Sequence, residues 1–386
     1  MFLRTLLNEN RPLAEAMFAL HRSGGLLPNT YVIDVDTVLE NARIMKEQAD
    51  REKLELYFMA KQMGRNPYIC KKLVDMGYPG AVVVDYQEAD VMMRNGIPIA
   101  HGGHLVQIPE HFLERLLAYG VGMITVYSLE KARSIGRICR KLGKVQDLCL
   151  KVVRRGDRIY SGQEGGFSPE ELPAALETLE GLEGVRVKAL TAFPCFLYNE
   201  ESGRVEDCPN LETLLAAGEA AGAMLGRRLH LNMPSCTQVQ TIPRIRRLGG
   251  DSAEPGSALI GTVPNNRDGS AAERIAAAYM SEVSHVQGDR SYCYGGGLYP
   301  RGHIGCAVTE GENGGGQILR AVPPEPGSID YYFAVEGRAA VGSGVLMSFR
   351  PQIFTSRSSV LLLEGLSKGE LRIAGTYDAQ GGPVTN

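Results

Sequence analysis

Residues Leu54-Glu-Leu-Tyr-Phe-Met-Ala60 form an apolar run that closes on Lys61 and breaks at once into Gln62-Met-Gly-Arg-Asn-Pro67. A β-strand that ends this way sets an amine at the rim of a barrel, against low-dielectric walls. Burial disfavours an ammonium group and favours the neutral, nucleophilic amine, which can form an imine. The reading depends on whether the flanking sequence builds a barrel.

Outward from this run, short apolar segments alternate with amphipathic helical ones. Strands are expected at Thr30–Val35, Leu54–Ala60, Gly80–Val84, Pro98–Ala100, Met123–Val126, Asp147–Val153, Val185–Thr191 and Leu229–Met233. Helical periodicity falls between them, at Val38–Ala49, Pro67–Met76, Tyr86–Asn95, Glu110–Tyr119, Leu129–Leu142, Pro169–Glu180 and Leu211–Leu225. Such alternation predicts parallel βα units and an α/β fold, a (β/α)8 TIM barrel. An open doubly wound sheet is the alternative, but no Gly-x-Gly-x-x-Gly follows the first strand.

After Gly261 the texture changes. A short helical stretch at Ala271–Ala277 precedes glycine-rich β-type runs at Met280–Val286, Gly316–Ala321, Tyr331–Val335, Val345–Phe349 and Ser359–Leu363, with a loop at Asn313–Gly316. These predict a second, all-β domain. The expected boundaries are a helical lead-in over 1–27, the barrel over 28–262 and the C-terminal β domain over 263–386.

Composition limits the function classes. A net charge of −3 offers no broad cationic surface for nucleic acid or anionic membrane. Eight scattered cysteines include no Cys-x-x-Cys pair and no Cys/His cluster with zinc spacing, a pattern of reduced thiols. With no signal-peptide pattern at the amino terminus and no transmembrane run, a cytoplasmic location is expected.

Functional groups in a barrel gather at the carboxyl ends of its strands. Here those ends carry Lys61, His101-Gly-Gly-His104, Lys151-Val-Val-Arg154-Arg155, Thr191-Ala-Phe193-Pro-Cys195 and Asn232-Met-Pro-Ser235-Cys-Thr237, and past one more helical turn comes Glu254-Pro-Gly256-Ser257. Ser235, Thr237 and Ser257 offer hydroxyls, and Gly256 lets a backbone N–H approach closely, which suits a phosphate. A phosphate cradle together with a strand-end lysine favours a phosphorylated cofactor that forms an imine.

Lys61-Gln-Met-Gly-Arg-Asn-Pro67 and Glu254-Pro-Gly-Ser-Ala-Leu-Ile-Gly-Thr262 resemble segments of the fold-type III enzymes that use pyridoxal 5'-phosphate (PLP). The alanine-racemase-like, YhfX-like branch is the nearest in pattern. The resemblance covers roughly residues 28–310. It implies a barrel with a β domain, Lys61 as the Schiff-base lysine, and phosphate contacts near Ser235, Thr237, Gly256 and Ser257. It also implies an amino-acid substrate and a homodimer with shared active sites.

Glu254 stands where alanine racemases of this family place an arginine beside the pyridine nitrogen, and where the decarboxylases place a glutamate. A carboxylate there favours a protonated ring, a stronger electron sink. Racemisation through an external aldimine and quinonoid also needs a second base on the opposite face. Within Arg290-Ser-Tyr292-Cys293-Tyr294-Gly-Gly-Gly-Leu-Tyr299-Pro-Arg301-Gly-His303, the Tyr294-Gly-Gly turn resembles the family's tyrosine, and Cys293 resembles the cysteine of the decarboxylase branch. Tyr292 and Tyr299 stay open, and Arg301, Arg158 or His303 is the expected cationic neighbour of the tyrosine.

Arg158 and His104 are the expected substrate-binding residues. The expected activity is amino-acid racemisation with Lys61 and Tyr294 as opposing bases. The alternatives are a PLP-dependent lyase (a decarboxylase, or a D-threonine aldolase or D-serine dehydratase type) and a non-catalytic PLP-binding protein.

Overall fold

The computed structural model describes residues 1–310, 316–325 and 327–384. The chain divides into two compact units, Ile44–Ala60 with Cys70–Gly256, and Met1–Arg43 with Lys61–Ile69 and Ser257–Asn386.

The first unit is a nearly closed parallel barrel of nine strand segments. In spatial order these are Glu55–Leu56, Ser252–Ala253, His230–Asn232, Val185–Thr191, Gln146–Lys151, Val121–Val126, Ile99–Gly102, Ala81–Val82 and Phe58–Met59. The run Leu54–Ala60 therefore occupies both ends of the order. Its first half pairs with Ser252–Ala253 and its second half with Ala81–Val82, so one apolar run closes the ring. Strands buried on both faces read as continuous apolar runs rather than alternating ones, as Leu148, Cys149 and Leu150 show. Helices cover the outside, several with capped starts. Asp85 accepts from Glu88 N to open Tyr86–Arg94, and Ser128 accepts from Lys131 N to open Leu129–Lys141.

The second unit is an all-β body with a nine-stranded sheet. Six of its strands close on themselves: Ala277–Gln287, Arg290–Tyr294, Tyr332–Glu336, Gln317–Val322, Cys306–Thr309 and Gly344–Met347. From Ala277–Gln287 the sheet continues through Thr30–Asp34 to Ser359–Glu364 and Arg372–Asp378.

Thr30–Asp34 corrects the first expected barrel strand. It lies antiparallel to Ala277–Gln287 and parallel to Ser359–Glu364, and the eighth barrel position falls instead to Ser252–Ala253. All five of its residues are buried, so nothing in its pattern distinguishes one sheet from the other. The lead-in helices Leu3–Glu9 and Arg11–Arg22 join the same body. Phe2, Leu3, Leu6, Leu13 and Met17 pack in one core with Val32, Ile275, Met280, Val308, Leu346 and Leu361.

The helix expected at Ala271–Ala277 is absent, because side chains claim its backbone groups. Arg274 N donates to Asn41 Oδ1, Ala271 N to Asn266 Oδ1, and Asn266 Nδ2 to Glu273 O. The chain then enters the strand Ala277–Gln287. The loop expected at Asn313–Gly316 lies, over residues 313–315, outside the described residues. Among the described residues the eight cysteines form no disulfide, and no helix is long and apolar enough to cross a membrane.

Candidate active site at the carboxyl ends of the strands

Lys61 opens a 3-10 turn, Lys61–Met63, directly after the strand Phe58–Met59, and is half-buried. Backbone bonds fix the strand before it: Tyr57 N donates to Ala253 O, and Met59 N to Pro255 O at 2.9 Å. Lys61 thus follows two residues after a bond to the Glu254-Pro255 segment. In the other unit, the Lys61–Met63 turn packs against the turn Ser257–Ile260.

The residues after Lys61 have structural reasons of their own. Gly64 (φ 67°) and Arg65 (φ 55°) are left-handed, and a Cβ on Gly64 would meet Ile353 Cγ2 at 2.9 Å. Asn66 Oδ1 then accepts from Tyr68 N and Ile69 N, capping the helix Pro67–Asp75.

Inside the barrel unit, Glu254 follows the strand Ser252–Ala253 and is buried. Its Oε1 accepts from Asn232 Nδ2 at 2.9 Å and lies 2.8 Å from His101 Nδ1. His101 Nε2 in turn meets Thr125 Oγ1 at 2.5 Å. His104 Nε2 is 3.7 Å from Glu254 Oε2, and the His104 ring stands edge-on to Phe193 at 5.6 Å.

Burial is the largest single effect on the Glu254 carboxyl and pushes its pKa up. The charges of His104 and His101 and the hydrogen bonds from His101 and Asn232 outweigh it, leaving the pKa at about 2. The result is an ionised carboxylate buried in the barrel.

His101, His104 and Glu254 also place one ligating atom each within 4.8 Å of one another, close enough to bracket a divalent ion. The 2.8 Å between His101 Nδ1 and Glu254 Oε1 is direct hydrogen-bond contact. Two ligands about 2.1 Å from a tetrahedral zinc stand roughly 3.4 Å apart, so the observed spacing is that of a hydrogen-bonded pair.

Past Asn232 the chain turns through Ser235 (φ 86°) and Cys236 (φ 49°), two successive non-glycine residues in the left-handed region. That conformation is strained and collects at functional sites. It is held by Ser235 Oγ donating to Phe196 O and Thr241 Oγ1 donating to Cys236 O. Turns of this kind present backbone N–H groups to anions. Thr237 Oγ1 accepts from Glu254 N, tying this turn to the carboxylate segment.

Residues 33–264, more than half of the chain, match the family described as alanine racemase, N-terminal domain. The chain belongs to this family. Residues 278–373 match the YhfX-like C-terminal domain, and the chain is 42% identical over 384 residues to the YhfX protein of Escherichia coli (strain K12), covering 99% of each. Among solved structures it resembles D-threonine aldolase from Filomicrobium marinum (TM-score 0.65, 16% identity, 91% of this chain and 95% of that one). It also resembles alanine racemase from Clostridium difficile 630 in complex with cycloserine (TM-score 0.65, 15% identity, 92% and 99%). At such identities these likenesses speak for the fold. Alanine-racemase-like proteins are generally PLP-dependent, generally act on amino acids and often form dimers.

The remaining expected residues of this alanine-racemase-like chain separate clearly. Tyr294 and Cys293 are neighbours on the strand Arg290–Tyr294 and so point to opposite faces. Tyr294 is 37% exposed, whereas Cys293 is fully buried, its Sγ facing Phe333 O. Burial pushes the Cys293 thiol up to about 12, so it carries no thiolate near neutrality. Tyr292 stacks on His285 at 4.8 Å, and Arg301 Nε donates to Tyr299 Oη at 2.9 Å.

Arg158 has an exposed side chain. Its backbone N–H donates to Asn210 Oδ1, while Asn210 Nδ2 donates to Arg158 O and Phe193 O. His104, expected to contact substrate, is buried and directed at Glu254. Asn232 and Thr125 escaped the sequence reading as functional residues. Their only signal is a polar side chain inside an apolar strand, Leu231-Asn232-Met233 and Ile124-Thr125-Val126.

Proposed function

We propose that this protein is a PLP-dependent enzyme acting on an amino acid, with racemisation as its leading reaction. The observation that carries the reading is Glu254, an ionised carboxylate held inside the barrel by His101 and Asn232. A buried carboxylate of this kind suits a ring nitrogen that must stay protonated. The donor set fits the cofactor in two further respects: Lys61 opens the turn that follows the barrel strand Phe58–Met59, and the left-handed Ser235-Cys236 turn suits a phosphate.

Lys61 would anchor the cofactor, Glu254 would hold its ring nitrogen, and Ser235, Thr237, Gly256 and Ser257 would take its phosphate. When bound, PLP supplies an aldehyde that condenses with amines and a ring that withdraws electrons from the substrate's α-carbon. Lys61 Nζ would take the α-proton from one face, and Tyr294 Oη, supplied across a homodimer, would return a proton from the other. Cys293, buried and protonated, takes no part. Arg158 would pair with the substrate carboxylate.

A lyase is the second reading. A ring kept protonated by Glu254 would serve bond cleavage at the α-carbon as well as proton exchange, and the fold is shared with an aldolase.

The cofactor assignment is tested by reading the visible absorbance of purified protein before and after Lys61→Ala. The band is expected to disappear, and an unchanged band sinks the assignment. Incubating an amino-acid panel in deuterated solvent then separates the reactions. Racemisation gives α-deuterated product of both hands with the skeleton intact, and aldehyde, ammonia or carbon dioxide marks a lyase.

A further inference from the structure

Glu254 sits in a continuous polar chain through an otherwise apolar barrel. His230 Nε2 meets Ser252 Oγ at 2.8 Å, Ser252 Oγ donates to Asn232 Oδ1 at 2.8 Å, and Asn232 Nδ2 donates to Glu254 Oε1 at 2.9 Å. His101 completes it, with Nδ1 on Glu254 Oε1 and Nε2 on Thr125 Oγ1. His101, Thr125, Asn232 and Ser252 are all fully buried. Buried polar groups persist only where every member is satisfied, and such networks hold one arrangement rigidly.

Both close donors converge on the same oxygen. Oε1 receives Asn232 and His101, whereas His104 Nε2 stands 3.7 Å from Oε2, beyond hydrogen-bond length. The terminal torsion of a glutamate is soft and roughly two-fold, so by itself the side chain does not choose which oxygen faces which way. Two donors fixed by separate strands make that choice: Asn232 stands on His230–Asn232 and His101 on Ile99–Gly102.

We propose that His101 is a positioning residue, which locks the Glu254 carboxylate so that Oε2 is the oxygen presented to the cofactor's ring nitrogen, with Thr125 fixing the imidazole from behind. The proposal rests on the functional reading above and adds to it a residue that touches neither substrate nor cofactor. Asn232 alone would leave the carboxylate a single close hydrogen bond and a torsional freedom that weakens its grip on the ring.

The test compares His101→Leu, which removes the donor, with His101→Asn, whose amide nitrogen stands in for Nδ1. The readouts are the PLP dissociation constant, by equilibrium titration of stripped protein, and the visible spectrum of the bound cofactor. Loss of one charge-assisted hydrogen bond predicts a PLP affinity roughly tenfold to a hundredfold weaker in His101→Leu. Its spectrum shifts, and His101→Asn restores both toward the parent protein. A His101→Leu protein with parental affinity and spectrum overturns the proposal, as does an equal defect in both variants, which would mean packing alone.

If His101→Leu does not fold, Thr125→Val probes the same contact from the other nitrogen. A smaller shift of the same sign supports the proposal, and an unaltered spectrum overturns it. Parent protein that takes up no PLP sinks the functional reading itself. A stoichiometric zinc ion held by the parent and lost in His101→Leu would reassign the cluster as a metal site.

Discussion

Glu254 combines a carboxylate with full burial, and the cost of that burial is met by the groups around it. Burial pushes the carboxyl pKa up, and His104, His101 and Asn232 reverse the effect, taking it from 4.5 to about 2. A carboxyl depressed in the folded state contributes stability that is fully present above its unfolded value. That contribution is lost as pH falls toward the folded one. The window for this group therefore runs from 4.5 down to about 2. Glu254→Gln keeps the shape and removes the charge, at an expected loss on the order of 3 kcal/mol near neutrality. Acid unfolding followed by circular dichroism should show the parent losing more stability across that window than the variant. Parallel curves would mean that the carboxylate is not held as described.

At this scale Lys61 and Glu254 were legible because each lies in a compact local motif. Asn232 and Thr125 were not, because each is one polar residue whose partner stands 22 or 24 positions away.

Among elements, the two motifs owe part of their residue choice to the backbone. Gly64 and Gly261 both adopt left-handed φ values. A Cβ on Gly261 would stand 2.0 Å from Arg274 O, a backbone atom with no freedom to swing aside. Gly261→Ala is expected to cost about 3 kcal/mol or more, from overpacking plus the left-handed conformation, seen as a thermal melt lower by roughly 10 °C. A melt within about 1 °C of the parent would refute the close approach.

Helices were read well where an amphipathic face was long, as at Glu110–Tyr119, which the structure reproduces residue for residue. The short Ala271–Ala277 stretch misled because seven residues of good propensity form no helix once Asn41 and Asn266 take their backbone groups. The short segment Ser252–Ala253 passed unnoticed because two residues carry no periodicity.

For the whole molecule, the two units are interleaved along the chain. The β unit draws on Met1–Arg43 and Lys61–Ile69 as well as on Ser257–Asn386. Its strand Thr30–Asp34 stands between Ala277–Gln287 and Ser359–Glu364, and its core includes Phe2, Leu6 and Leu13. A fragment of residues 263–386 would therefore carry unpaired strand edges and an exposed apolar core. It is expected to show no cooperative unfolding in urea, whereas adding a peptide of residues 1–43 should restore structure. A cooperative transition in the fragment alone would contradict the shared core.

The sequence by itself determined the alternation that makes the barrel, the all-β character of the remainder, and the two motifs around Lys61 and Glu254, because periodicity and turn chemistry are local properties. Only the tertiary structure decided which sheet Thr30–Asp34 joins, since a fully buried strand shows the same apolar face to either neighbour. It alone also decided that His101, 153 positions from Glu254, completes the carboxylate's hydrogen bonds. Closing the barrel brings those strands together, and no local pattern records which side chains then meet.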